Sequence, residues 1–468
     1  MALVVALGSV SKAPRVVLDV TSSVVWSGAP VGIVRTVRRF AAFLLDLDDG
    51  AATFCRYDPG SRRYVEVERT QALSGPRPSA PAVRASGDAY PGRRIVAGLP
   101  AGMQADAALL ARSMGLVLKS SYWLARGTWS AMRSRWRAPD SAANERDELE
   151  LRPADVYVSM GVDWQHNDLR VLRDLKRTRG FRVVLYCHDL IPVTCPHLIS
   201  AEARPPSHEY FLDLARAADH VVAVSRTTAE QLRRVVADAG IDGPPISVVH
   251  PGADFDPRAR EAARAPREDL VHTPFVLCVG TIEMRKNHEL LYNVWDRLVA
   301  KHGDRVPPLV LVGMVGWGVD GLLARMRANP RTAGRIVALD AVGDPELVWL
   351  YEHSLFSVYP SFFEGWGLPV AESLALGTPC VTSNAPAVVE ASGGVAPALD
   401  PLDFPAWLAE IERLVFEPRE REAAARRARD YRQPTWHEHG EAMLDVVRTV
   451  AGGEASGRDV RLALRPEF

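Results

Sequence analysis

The chain has 468 residues, enough for two or three domains, and its 47% apolar and 24% charged content is that of a globular protein. With 56 basic against 57 acidic residues the net charge is −1, which argues against a nucleic-acid partner. Five cysteines (Cys55, Cys187, Cys195, Cys278 and Cys380) are odd in number, scattered and mostly set in apolar runs, which suits buried thiols in a reducing cytoplasm and excludes a disulfide framework.

The opening MALVVALGSV lacks a basic start and reads as no signal peptide. No uninterrupted apolar run reaches the roughly 18–20 residues of a membrane span. The first strand is predicted over Arg15–Val20. Thr21–Ser23 then lead to Gly28, Ala29, Pro30, Val31, Gly32 and Ile33, followed by a helix with Arg35, Arg38 and Arg39. Gly32 fits either a ligand loop or close packing, and the spacing is not that of a G-x-G-x-x-G fingerprint. Asp46-x-Asp48 falls at a helix end, not on a strand-end loop, so it is not read as a metal motif. Gln71–Pro91, rich in Pro, Ser, Gly and Ala, predicts a loop. Ala107–Arg137 predicts a helix mixing Leu, Met, Trp and Tyr with six cations, from Arg112 to Arg137. Such a helix either packs as an insertion on its own domain or lies on an anionic membrane surface. Strands over Val156–Gly161, Arg182–His188, His220–Ser225 and Ile246–His250 alternate with helical patterns, predicting a parallel sheet covered by helices. His188 and Asp189 stand at a strand's carboxyl end, where a histidine can reach a ligand; Asp189 either orients it or caps the next turn. Asp163, in GVDWQHND, either contacts an acceptor or simply turns the chain.

Phe255–Pro274, polar and carrying Pro257, Pro266 and Pro274, predicts an interdomain linker. A second set of strands follows at Phe275–Gly280, Leu309–Gly313, Arg335–Leu339, Leu355–Pro360 and Pro379–Ser383. Ligands of doubly wound sheets bind beyond the carboxyl ends of the strands, so the facing edges of two such domains should form one cleft. FVLCVGT runs into Ile282, Glu283, Met284, Arg285, Lys286 and Asn287. Adjacent cations where a strand meets a helix suit a diphosphate, and without an anion they are unfavourable at a helix start. Gly313–Trp317, GMVGW, reads as a glycine–tryptophan turn. Residues 359–384, YPSFFEGWGLPVAESLALGTPCVTSN, set Glu364 and Glu372 eight positions apart, with Gly365, Trp366, Gly367 and Pro369 between them. Pro369 predicts a helix starting near Leu368, with Glu364 on the loop and Glu372 one turn inside. The glycines admit a ligand close to the backbone and the helix start offers free N–H groups, so a diphosphate could lie there with one carboxylate for sugar and one for ribose hydroxyls. Pro434, Thr435 and Trp436 precede a helix to about Val450, and 453–468 reads as a tail. His197 and His208 lack partners at metal-ligand spacing.

The 359–384 block resembles the E-x7-E signature of retaining glycosyltransferase family 4. Gly280 to Asn287 resembles the G-x-x-x-x-R-K-N form of bacterial polysaccharide mannosyl- and rhamnosyltransferases. The resemblance covers about residues 150–450 and, more loosely, 15–40. It implies the GT-B fold, an α/β arrangement of two Rossmann-like doubly wound parallel-sheet domains facing a central cleft. Residues 1–254 would form the acceptor domain with a 70–150 insertion, 255–274 the linker, 275–433 the nucleotide-sugar domain and 434–452 a helix crossing back. It further implies that Glu364 and His188 hold the donor sugar, that Glu372 binds ribose and that Arg285 and Lys286 carry the phosphate charge. Gly365, Trp366, Gly367, Leu368, Gly32, Gly280 and Thr281 would complete the donor site, although Thr281 stands where many members have arginine. The implied activity is retaining transfer of a hexose, mannose or rhamnose favoured, from a nucleotide-diphosphate sugar to a hydroxyl of a growing polysaccharide or lipid-linked glycan. It needs no metal or cofactor and takes place in the cytoplasm; peripheral contact at the inner membrane face through 107–137 belongs only to the second of the two readings of that stretch, packing on its own domain being the favoured one. The other reading is a GT-B-like scaffold or partner subunit of a glycan assembly complex that has lost catalysis.

Overall fold

Strands that are apolar at nearly every position must be covered on both faces, and the computed structural model covers them so. It describes residues 14–26, 32–47, 52–73, 148–199, 207–340, 342–432 and 434–452. These belong to one compact unit, residues 1–76 with 148–468. Residues 77–147 form the other unit and lie outside the described residues, as do the basic stretch 107–137, Gly28–Val31, Asp48 and the tail.

The first sheet comprises β1 (Val16–Asp19), β2 (Ala52–Asp58), β3 (Arg63–Val67), β4 (Val156–Ser159), β5 (Arg182–Cys187), β6 (His220–Ala223) and β7 (Ile246–Val248), in the order β3-β2-β1-β4-β5-β6-β7. The second comprises β8 (Val276–Val279), β9 (Leu309–Val312), β10 (Ile336–Leu339), β11 (Ser357–Tyr359), β12 (Cys380–Ser383) and β13 (Ala398–Leu399), in the order β10-β9-β8-β11-β12-β13. The fold class is therefore α/β with two doubly wound, Rossmann-like lobes. Alternate side chains of each strand enter opposite cores. Val16 and Leu18 share one core with Phe40 and Phe43, and Val17 shares the other with Tyr157 and Val183. In the second lobe Val276 and Cys278 join Trp295 and Trp407, whereas Phe275 and Leu277 join Trp349 and Tyr351.

The sequence reading missed β2, β3 and β13, and β3 runs antiparallel to β2, so the first sheet is not wholly parallel. The signal for this hairpin was present. Arg63–Val67 buries Tyr64 and Val67 and exposes Arg63 and Glu66, and Asp58, Pro59 and Gly60 turn the chain before it. Residues 255–274 do more than connect. They form a short helix capped by Asp256 and bury Phe255 and Leu270 in the second lobe's core.

The helices that shape the site are α1 (Gly32–Asp46), α2 (Arg226–Asp238), α3 (Pro257–Glu261), α4 (Asp344–His353), α5 (Leu368–Ala375), α6 (Pro386–Ala391) and α7 (Trp436–Val450). α7 begins with a capping box, Thr435 with Glu438. It inserts Met443, Leu444, Val446 and Val447 into the first lobe's core beside Phe40 and Phe43.

Candidate active site

The carboxyl ends of the two sheets meet. After β8, Gly280 takes φ 147°, a left-handed-side conformation that favours glycine. It lies so close to Gly313 that a Cβ on Gly313 would sit 2.2 Å from the Gly280 carbonyl oxygen. The tight crossing aims the 3₁₀ turn Met284–Lys286 at the loop after β11, where the Phe362 N–H donates to the Arg285 carbonyl at 3.0 Å. Glu364 receives both cations: Arg285 Nη1 at 2.5 Å and Lys286 Nζ at 2.7 Å. Arg285 also donates to Glu283 at 2.6 Å and to the Phe363 carbonyl at 2.8 Å. Lys286 lies 2.6 Å from the Tyr359 hydroxyl. Burial would push the Glu364 carboxyl up, but Arg285 and Lys286 outweigh it and hold it at about 2. Burial lowers the Lys286 ammonium despite Glu364, and raises the Glu283 carboxyl against Arg285.

Glu372 sits apart from this quartet. One of its oxygens pairs with Arg35 of α1 and the other accepts from the Tyr351 hydroxyl at 3.2 Å. Arg35 reaches a second carboxylate across the lobes, Asp344 of α4, at 2.8 Å. Burial raises Glu372 to about 6, with Arg35 acting in the opposite direction. Gly32 opens α1 with no neighbour that a Cβ would meet, and three residues on the same helix carries Arg35 to the second lobe.

The first lobe presents His188 just past β5. Its Nε2 is 2.7 Å from the Met160 carbonyl, which only accepts, so Nε2 carries the proton and Nδ1 keeps a lone pair. Burial holds this imidazole at about 4, uncharged. Asp189 accepts from the Ile191 N–H at 3.0 Å, in the turn ahead of the short helix Ile191–Thr194. Asp163 is held inside the first lobe by Ser159 at 2.6 Å and Asn167 at 3.3 Å. Gly365 packs on His188 so closely that a Cβ would lie 1.9 Å from the His188 carbonyl oxygen. Trp366 stacks on His250 at 4.4 Å, and His250 pairs with Glu390 of α6 at 2.7 Å. Glu390 also accepts from the first N–H of α2. Gly367, at φ 141°, turns the chain into α5, whose first residue is Leu368. Thr281 lies against Gly316, where a Cβ would be 2.9 Å from its methyl group.

The structure thus brings Glu364, Arg285, Lys286 and Gly280 together, places Gly365 against His188, and assigns Glu372 to a separate cluster. Sequence reading missed Glu283, Tyr359, Asp344, Glu390 and the reach of Arg35. Glu283 alone carried a signal: an acid two residues before Arg285. Tyr359 becomes visible only when β11 is set beside β8 in the second sheet, and Asp344, Glu390 and Arg35 only when the lobes meet.

Residues 273–416 match the family model for glycosyl transferases group 1, and 163–257 match that for glycosyltransferase family 4. O-antigen chain mannosyltransferase B of Escherichia coli is 31% identical over 263 residues, 54% of this chain and 67% of that one. The serotype-specific mannosyltransferase WbdA of Escherichia coli is 27% identical over 296 residues, 59% of this chain, which spans 35% of that relative's length. A D-inositol 3-phosphate glycosyltransferase of Rhodococcus opacus (strain B4) is 28% identical over 324 residues, 66% of this chain and 69% of the relative. Among solved structures, the sucrose-phosphate synthase of Thermosynechococcus elongatus superposes over 93% of this chain and 96% of its own with a TM-score of 0.51. At 17% identity that likeness concerns the two-lobed fold alone.

Proposed function

Because the chain belongs to glycosyltransferase family 4 and has its GT-B fold, we propose that it moves a hexose from a nucleotide-diphosphate sugar to a hydroxyl of a growing polysaccharide or lipid-linked glycan. Mannose is the favoured sugar, since two of the relatives named above are mannosyltransferases, and rhamnose is the next. The observation that carries the reading is the Arg285–Glu364–Lys286 arrangement at the carboxyl edge of the second sheet.

In this reading the diphosphate lies over Arg285, Lys286 and the start of α5. Negative charge grows on the leaving phosphate as the glycosidic bond breaks through an oxocarbenium-like state. A guanidinium fixed by two carboxylates and a buried ammonium stabilise that charge without having to reorganise. Glu364 and the Nδ1 lone pair of His188 accept from sugar hydroxyls and set the sugar's orientation. The acceptor hydroxyl attacks from the face the diphosphate leaves, and a phosphate oxygen takes its proton, so the anomeric configuration is retained. Apposition of Gly365 and His188 excludes water as a competing acceptor. Among the described residues no helix is long and apolar enough to cross a membrane; a place on the inner membrane face belongs to this proposal.

The test is a panel of nucleotide sugars with mass detection of transfer and hydrolysis, beside thermal shifts with GDP, UDP and dTDP. One nucleotide should stabilise the protein, and turnover should persist in EDTA. Glu372→Ala should weaken nucleotide binding, and Lys286→Ala should slow turnover more than it weakens binding. A chain that none of the three nucleotides stabilises would be a scaffold.

A further inference from the structure

Asp189 is only half used by its own turn. Its Oδ1 accepts from the Ile191 N–H at 3.0 Å, and among the described residues no hydrogen bond reaches its Oδ2. It follows His188 just past β5, where the lobes touch: a Cβ on Gly365 would lie 2.9 Å from the Asp189 Cβ. There its carboxyl comes within electrostatic reach of Arg285, Glu364 and Lys286. Among the described residues no ion pair joins it to either cation, whose charges go to Glu283 and Glu364. Burial pushes the Asp189 carboxyl up more than Arg285 and the Ile191 N–H pull it down. At neutral pH its charge therefore costs the fold stability, and a neutral side chain of the same shape would cost less. The neighbouring His188 imidazole is uncharged. Of this first-lobe pair, only Asp189 can carry negative charge toward the cations of the second lobe.

We propose that Asp189 is a catalytic residue whose unpaired carboxylate oxygen lies against the donor sugar and stabilises the positive charge that develops there as the bond to the diphosphate breaks. The proposal rests on reading Arg285 and Lys286 as the diphosphate site. Breaking that bond separates charge, leaving the phosphate more negative and the sugar oxocarbenium-like. The second lobe answers the negative end with Arg285 and Lys286. Its own acids there are already paired, Glu364 with both cations and Glu283 with Arg285. The positive end is left to the first lobe, and a fixed carboxylate that no cation neutralises acts on it strongly in a site closed to water. Asp189 forms no bond to the sugar and takes no proton; the acceptor's proton still goes to a phosphate oxygen.

The test uses the full chain, the nucleotide sugar that the panel identifies, and Asp189→Asn and Asp189→Ser. Both substitutions remove the charge but keep an oxygen for the Ile191 N–H, so both should melt no lower than wild type. Turnover should fall about 100-fold, while the dissociation constant for GDP, UDP or dTDP, whichever binds, should change by less than about three-fold. The sugar's charge develops whatever attacks it, so donor hydrolysis and transfer should fall by the same factor. Should Asp189→Asn fail to fold, Asp189→Ser decides. Turnover within about three-fold of wild type in the deciding variant overturns the proposal and leaves Asp189 to its turn. Loss of transfer with hydrolysis intact also overturns it, since Asp189 would then serve the acceptor. A wild-type chain that binds none of the three nucleotides overturns the donor reading itself.

Discussion

Glu364 answers two cations at once, and its ionisation holds the Met284–Lys286 turn in place. Replacing it by Gln leaves Arg285 with Glu283 and the Phe363 carbonyl, and Lys286 with the Tyr359 hydroxyl, a loss of about 3–5 kcal/mol for breaking a buried pair. That loss should depend on pH in one direction. The folded-state value is held at about 2 against an ordinary 4.5. The carboxylate therefore contributes stability above pH 4.5 that disappears as pH falls from there toward 2. Thermal unfolding of wild type and Glu364→Gln from pH 7 to 3 should show a gap that is widest near neutrality and narrows below 4.5. A constant gap would mean that the carboxylate's charge is not what holds the turn. Glu364, Arg285 and Lys286 could be picked out as residues from motif spacing, but their pairing with one another could not, since nothing in spacing tells a cation kept for phosphate from one already answered by an acid.

At the scale of elements, α7 shows how one glycine decides a docking. Gly440 faces Phe43 of α1, and a Cβ there would lie 2.3 Å from the ring. Alanine is the better helix former by about 1 kcal/mol, but the aromatic ring is packed between α1 and α7 and cannot yield. Gly440→Ala should therefore destabilise by about 1–2 kcal/mol in urea unfolding. Gly321→Ala, in a helix where a Cβ meets nothing within 4 Å, should be neutral or stabilising. If both behave alike, the Phe43 contact does not seat α7. The helix start at Leu368 was readable from Pro369, since proline's fixed φ acts locally. The β2–β3 hairpin was overlooked because a half-exposed edge strand carries a weaker apolar signal than the central runs.

For the whole molecule, the decisive contact is Gly365 on His188, where any side chain would collide with backbone at 1.9 Å. Gly365→Ala should hold the lobes apart and lower turnover by at least about 100-fold, as misplacement of reacting groups does. On the proposed reading the nucleotide is held by the second lobe, so its affinity should change by less than about three-fold. Undiminished turnover would show that this apposition is no part of the working enzyme.

The sequence by itself determined the two parallel-sheet lobes and the family, because apolar runs, strand–helix alternation and the glycine and proline positions act over a few residues. It also marked the acids and cations that the second lobe gathers at one edge. Only the tertiary structure decided which of them pair: Arg35 with Glu372 and Asp344, Glu390 with His250 and the α2 N-terminus, Gly365 with His188. Those contacts join residues more than a hundred positions apart, and their partners are selected by how the lobes meet, a geometry that no local spacing encodes.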